Sequence, residues 1–278
     1  MHENFVTFEE KKYFLGNFAG NPLHKVLTLS GLQVQDISNL DGLGDCVMLY
    51  RLDLGTCGIS EIKDLDNLKN LRWLTLCENN IKEIKGLGKL RKLKILDLAE
   101  NKIIEIKGLE RLKELENLHL NNNKIVEIQN LDKLKKLQKL FLHNNQITEI
   151  KGLKNLKSLK YLNLNGNYIK DLSHLETLKQ IRYLSLCSNN LTSLVGIERL
   201  ENLESISLAN NQIQELTELE KLKNIKTVYV QNNNIKKLPN LKFLKALEVV
   251  ALEGNPLSEE DSHSSCKNLK DFKRIHID

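Results

Sequence analysis

From Leu49 onward, Leu, Ile or Val occupies positions 1, 4, 6, 11, 14, 17 and 20 of a 22-residue repeat that recurs nine times without insertion. The repeats begin at Leu49, Leu71, Leu93, Leu115, Leu137, Leu159, Ile181, Leu203 and Ile225, and a partial tenth begins at Leu247. A degenerate repeat precedes them, with Leu27, Leu29, Leu32, Val34, Ile37, Leu40 and Leu43 in place and three extra residues before Leu49. Positions 4 and 6 alternate with variable positions 3, 5 and 7, which is the period of a short strand with one face outward. A repeat this small cannot bury its apolar side alone, so the pattern predicts stacked turns that share one core. The expected fold is an α/β solenoid: a right-handed curved coil with a parallel β-sheet of about eleven strands on its concave face. Short 3₁₀ or irregular segments are expected on the convex face.

Position 9 is Asn in all but the first of these repeats, as Asn79, Asn101, Asn123, Asn145, Asn167, Asn189, Asn211, Asn233 and then Asn255, with Cys57 the exception. It falls where the chain turns off the strand, and an amide with two donors and an acceptor there satisfies backbone groups of neighbouring turns. Gly86, Gly108, Gly152 and Gly196 share position 16 and suit a tight return. The pattern LxxLxLxxNxIxxIxxLxxLxx resembles the leucine-rich repeat in its 22-residue form. The resemblance covers residues 24–257, comprising the degenerate repeat 24–48, nine repeats over 49–246 and the partial repeat 247–257.

Open ends of such a stack would expose core leucines. Residues 1–23 are expected to form a helical N-terminal cap, because Thr7-Phe8-Glu9-Glu10 reads as a capping box and Phe5, Phe8, Phe14 and Phe18 supply apolar cover. Residues 258–278 are expected to cap the other end. Glu253-Gly254-Asn255-Pro256-Leu257 and Ile277-Asp278 resemble the cap of intracellular leucine-rich repeat proteins, although the usual Tyr-Arg pair between them is missing and His263 and Ser264 stand in that region.

The core leaves positions 3, 5 and 7 unconstrained. Of eight aromatics in the nine repeats, five (Trp73, Phe141, Tyr161, Tyr183 and Tyr229) fall on these columns, where random placement would put about one. Rings on an outward face either ladder on one another across strands or anchor a partner. Around them lie Arg51, Asp53, Glu78, Asp97 and Glu100 in the first third, His119, His143 and a run of amides in the middle, and Ser and Tyr beyond. Mixed acids, amides and rings suit a protein partner better than a phosphate backbone, which would call for dense Lys and Arg. The repeat is similar to that of the intracellular subfamily typified by the regulatory subunit of protein phosphatase 1. That resemblance implies a serine/threonine phosphatase held by Asp53, Trp73, Glu78, Asp97, Glu100, Phe141, Tyr161, Tyr183 and Tyr229. The Asn-rich centre departs from that subfamily, and axonemal dynein light chain, a spliceosomal protein and bacterial internalins carry the same repeat.

Composition narrows the alternatives. The net charge of +5 is modest and its charges are mixed. Position 21 carries a basic row (Lys69, Arg91, Lys113, Lys135, Lys157, Lys179, Lys223, Lys245) and position 13 an acidic one (Glu61, Glu83, Glu105, Glu127, Glu149, Asp171, Glu215), a pairing that reads as solubility. A convex basic ridge for nucleic acid or anionic surfaces, and a structural, self-associating module, are the alternatives. Five scattered cysteines without a C-x-x-C pair indicate reduced thiols. The N-terminus has no unbroken apolar run, so a cytoplasmic or nuclear protein without membrane span is expected.

No enzyme motif emerges. Asp97 and His119 are neighbours in column 5, but the nearest serine in that column, Ser185, lies three strands further, roughly 14 Å from His119. His119 and His143 lack an obvious third metal ligand, and no motif implies a cofactor. The expected activity is non-catalytic binding of a globular protein on the concave face.

Overall fold

A computed structural model describes residues 5–258 and 274–276. The chain divides into two compact units, Met1–Phe141 and Leu142–Asp278. The first holds β1 (Phe5–Phe8), β2 (Lys11–Phe14), β3 (Gly16–Phe18), β4 (Asn21–Thr28), β5 (Leu49–Asp53), β6 (Trp73–Thr75), β7 (Ile95–Asp97), β8 (Asn117–His119) and β9 (Lys139–Phe141). The second holds β10 (Tyr161–Asn163), β11 (Tyr183–Ser185), β12 (Ser205–Ser207), β13 (Thr227–Tyr229), β14 (Val249–Ala251) and β15 (Arg274–His276). Strands β4 to β9 pair in parallel, each with the next, and so do β10 to β15. Each unit is thus a stack of solenoid turns, as the repeat requires. Among the described residues, helical structure is confined to short 3₁₀ turns in some of the repeats, such as Leu43–Asp45 and Ile197–Arg199.

The seven apolar columns are the core. Leu71, Leu74, Leu76, Leu87 and Leu90 are fully buried, Ile81 with them and Ile84 to within 1%, and neighbouring repeats repeat the pattern. Burying such side chains is worth about 1.5–3 kcal/mol each and is the main force holding the turns together.

The Asn row ties the turns where the strands end. The Asn123 amide donates to the carbonyls of Leu98 (3.0 Å) in the preceding repeat and Leu120 (3.1 Å) and Asn121 (3.2 Å) in its own, and its oxygen accepts from Ile103 N–H (2.9 Å). Asn211 repeats the arrangement with Leu186, Leu208, Ala209 and Leu191. Cys57 performs a reduced version, its thiol against the carbonyls of Leu29 (3.2 Å) and Gly55 (3.3 Å).

The N-terminus is a correction to the expected helix. Residues 5–14 form an antiparallel hairpin, with Phe5 opposite Phe14 and Phe8 opposite Lys11. Glu9 and Glu10, read as part of a capping box, are instead the two turn residues, both with left-handed backbone (φ 47° and 62°). Val6 and Phe8 are buried while Thr7 between them faces the other way, the period of a strand. Thr7 exchanges backbone hydrogen bonds with Asp41 at 2.9 and 3.0 Å, so the first turn gives the hairpin a ready partner that a helix could not use. Apolar cover comes from Val6 and Phe8, whereas Phe14 is 71% exposed with its ring tilted against Phe5. Most of the expected C-terminal cap, residues 259–273 and 277–278, lies outside the described residues.

The stack depends on the amide row and on glycine at a few returns. Asn123→Ala should lose about 2–4 kcal/mol in urea unfolding, because it orphans several buried backbone groups at once. At Gly86 (φ +71°) a Cβ would overlap the Ile62 carbonyl oxygen, while at Gly88 it would meet only the Arg111 stem at 3.5 Å. Gly86→Ala should therefore cost about 2 kcal/mol or more and Gly88→Ala almost nothing, read from their urea midpoints.

Candidate functional site

In the N-terminal unit, Trp73 stands on the outward face of β6 and is half-buried by its own neighbours. The Arg51 guanidinium lies 4.0 Å over the indole ring, and the indole N–H donates to the Thr75 hydroxyl at 3.1 Å. Arg51 also meets Asp53 at 3.5 Å. Trp73 is therefore fixed in place by a cation on its face and a hydroxyl at its edge, a pre-organised ring.

Asp53, Thr75 and Asp97 are register partners across β5, β6 and β7. Each carboxylate accepts from the backbone N–H two residues on, Asp53 from Gly55 (3.1 Å) and Asp97 from Ala99 (3.0 Å), which turns the chain off the strand. Thr75 is buried between them, so column 5 is less exposed here than the sequence suggested.

Glu78 and Glu100 are not on strands. They occupy position 8, whose residue has positive φ in each repeat from Thr56 to Gly254, with φ 53° and 54° at the two glutamates. That left-handed corner holds both side chains exposed beside the strand ends. The signal was present in the sequence, since Asn122, Asn144, Gly166, Asn210, Asn232 and Gly254, the residue types that tolerate this backbone, share the column.

Cys77 lies beneath this acidic rim. Burial, then the charges of Asp97, Glu78, Asp53 and Glu100, push its thiol up to about 11, so it stays protonated and is a poor nucleophile at neutral pH. Next along, His119 and Phe141 stack face to face, with centroids 4.3 Å apart and planes at 22°. Burial lowers the His119 pKa; Asp97 opposes the shift and Lys139 adds to it. The imidazole is thus held neutral at pH 7 as part of an aromatic pair, which is a packing role rather than that of an oriented base.

In the C-terminal unit, Tyr161 and Tyr183 are register partners on β10 and β11, their rings 6.3 Å apart and tilted. The two rings ladder across the strands, and Tyr183 still keeps 44% of its surface exposed. Tyr229 is half-buried on β13, opposite Ser207, and His143 is half-buried at the start of the unit. Columns 3, 5 and 7 from Tyr161 to Gln231 hold only Tyr, Asn, Ser, Thr, Cys, Ala and Gln, so this strand face carries no charged side chain. Its polar groups are organised, with Ser185 donating to the Asn165 oxygen at 2.7 Å and Thr227 to the Ser205 hydroxyl.

The expected residues thus fall into two groups, an acidic and aromatic one from Asp53 to Phe141 and a neutral one from His143 to Tyr229. Among the described residues, no group of three or more His, Cys, Asp or Glu is placed to hold a metal ion, and no helix is long and apolar enough to cross a membrane.

A family model described as a leucine-rich repeat region matches residues 25–171, and a second, for two leucine-rich repeat copies, matches residues 179–222. No curated protein matches the chain. Among solved structures, an internalin from Listeria monocytogenes is similar over 91% of this chain and 82% of its own, with TM-score 0.77 and 25% identity. A leucine-rich repeat protein of Leptospira interrogans is similar over 85% of this chain and 74% of its own, with TM-score 0.64 and 27% identity. TLR13, solved in complex with a single-stranded RNA, shares the fold alone, at TM-score 0.69 and 22% identity over 85% of this chain and 40% of its own. Leucine-rich repeat proteins typically serve as protein-interaction scaffolds. With its repeats, its amide row and a matching model over more than half its length, this chain belongs to the leucine-rich repeat family.

Proposed function

We propose that the chain is a non-catalytic scaffold that binds a globular protein partner through the outward faces of its strands. The observation that carries this reading is Tyr183, a ring with 44% of its surface exposed on a strand face whose own columns carry no charge from Tyr161 to Gln231. Tyr with Ser and Asn is the chemistry of interface cores, where charge is depleted and rigid rings supply contact area. Trp73, clamped by Arg51 and Thr75, offers a second anchor with little rotamer entropy left to lose. Asp53, Glu78, Asp97 and Glu100 would meet basic groups on the partner, with His119, Phe141, His143, Tyr161 and Tyr229 completing the contact. A serine/threonine protein phosphatase is the partner implied by the resemblance to the phosphatase 1 regulatory subunit, whose concave residues are of the same kind.

Binding of the purified phosphatase 1 catalytic subunit to the immobilised chain tests both levels. The doubly substituted Trp73→Ala, Tyr183→Ala protein should bind at least about 30-fold more weakly than wild type. If the phosphatase does not bind wild type, that partner is wrong; if the two proteins recover the same partners equally from extract, the strand-face site is wrong. Charge reversal at the corner, Glu78→Lys with Glu100→Lys, should slow association several-fold at low salt and leave dissociation nearly unchanged, because exposed rim charges steer encounter more than they hold the complex. Surface plasmon resonance at two salt concentrations separates the two rates.

A further inference from the structure

In the sequence the acidic and basic rows read as serving solubility; among the described ion pairs, three of the acids have lysine partners outside the position 21 row. The position 13 acids pair with lysines of position 15: Lys85 reaches Glu61 at 2.7 Å and Lys107 reaches Glu105 at 3.4 Å. In the N-terminal unit Arg91, Arg111 and Lys113, from positions 19 and 21, line an open cleft of roughly 470 Å³. The one carboxylate in its wall, Glu114, is held by Lys136 at 2.6 Å.

A second feature marks the same place. Position 18 is acidic or lysine in every complete repeat except one, where it is Gly88. Gly88 has no left-handed backbone to demand glycine, and the atom nearest a Cβ there would be Arg111 Cδ at 3.5 Å. What glycine supplies is the absence of a side chain, and of the carboxylate that Asp66, Glu110 and Asp132 carry in neighbouring repeats. Glu110, the next in the column, turns its carboxylate onto the Gly108 N–H at 3.1 Å. The column thus loses its acid beside the Arg111 stem and regains it in the repeats on either side, which leaves the positive charge at this cleft less offset than elsewhere in the column.

We propose that Arg91, Arg111 and Lys113, with Gly88 placing no acid beside the Arg111 stem, form a binding site for a group carrying two or more phosphates. Two guanidinium forks and an ammonium match closely spaced phosphate oxygens, the forks by paired N–H donors and the ammonium as a point charge. The same chemistry is presented by a soluble inositol phosphate and by a polyphosphoinositide headgroup. The site is independent of the strand faces and of any protein partner bound there.

The full chain is titrated with inositol trisphosphate by calorimetry, and in parallel with phosphatidylcholine vesicles containing phosphatidylinositol bisphosphate, all at low salt. Wild type should bind at least one of the two, and which one identifies the source. Arg111→Glu and Gly88→Glu should each weaken binding about tenfold or more, while Gly88→Ala leaves it unchanged. Gly88→Glu leaves all three cations in place and restores an acid, which six of the nine complete repeats carry there, so its loss of binding reports on the surroundings of the cleft. Should that variant fail to fold, Arg111→Glu decides alone. The proposal is overturned if wild type binds neither probe, if the charge-altering variants bind as wild type does, or if a short single-stranded RNA binds wild type and Gly88→Glu equally, which would mean a diffuse basic ridge.

Discussion

The structure depends on satisfying backbone groups where each strand ends. At every turn the chain leaves the sheet through a left-handed residue at position 8, and the carbonyls and N–H groups on both sides of that corner are buried. The amide of position 9 answers several of them in its own repeat and the one before, from Asn79 to Asn255. Leucine burial supplies most of the stabilisation, but it is non-directional and would tolerate slippage between turns. The amide row sets the register of the stack, and the register in turn places the outward columns beside one another.

That placement makes neighbours of residues 22 apart, and those neighbours give the surface its character. Arg51 covers Trp73, His119 covers Phe141 and Tyr161 leans on Tyr183, each pair one repeat apart. The rings are rigidified by pairing and remain partly exposed, a combination that lowers the entropy cost of binding. The outward strand faces of the two units differ in kind: one offers carboxylates beside its rings, the other, from Tyr161 to Gln231, rings among hydroxyls and amides. The first chemistry favours steering and the second favours a tightly packed, desolvated contact.

Local sequence signals misled where a non-local partner was available. Thr7-Phe8-Glu9-Glu10 satisfies the local rule for a helix start, yet Thr7 pairs with Asp41, 34 residues along the chain, and the segment becomes a strand. Position 13 acids and position 21 cations read only as solubilising rows, yet some of the acids have a definite partner, a lysine two positions on in the same repeat or in the next one. Glu78 and Glu100 taken singly read as surface acids; their corner position shows only in the Asn and Gly that share their column, because the conformation is imposed by the turn rather than favoured by glutamate.

The sequence by itself determined the repeat, the seven core columns, the Asn row and the outward position of the five rings, since these follow from periodicity and each repeat states them again. Tertiary structure alone decided which cation covers Trp73, that His119 stacks on Phe141, that residues 5–14 are a hairpin, and that Arg91, Arg111 and Lys113 line one cleft. The reason is the same in each case. Periodicity specifies which way a side chain points, whereas its partner comes from a neighbouring turn, and that choice depends on distances that exist only once the turns have stacked.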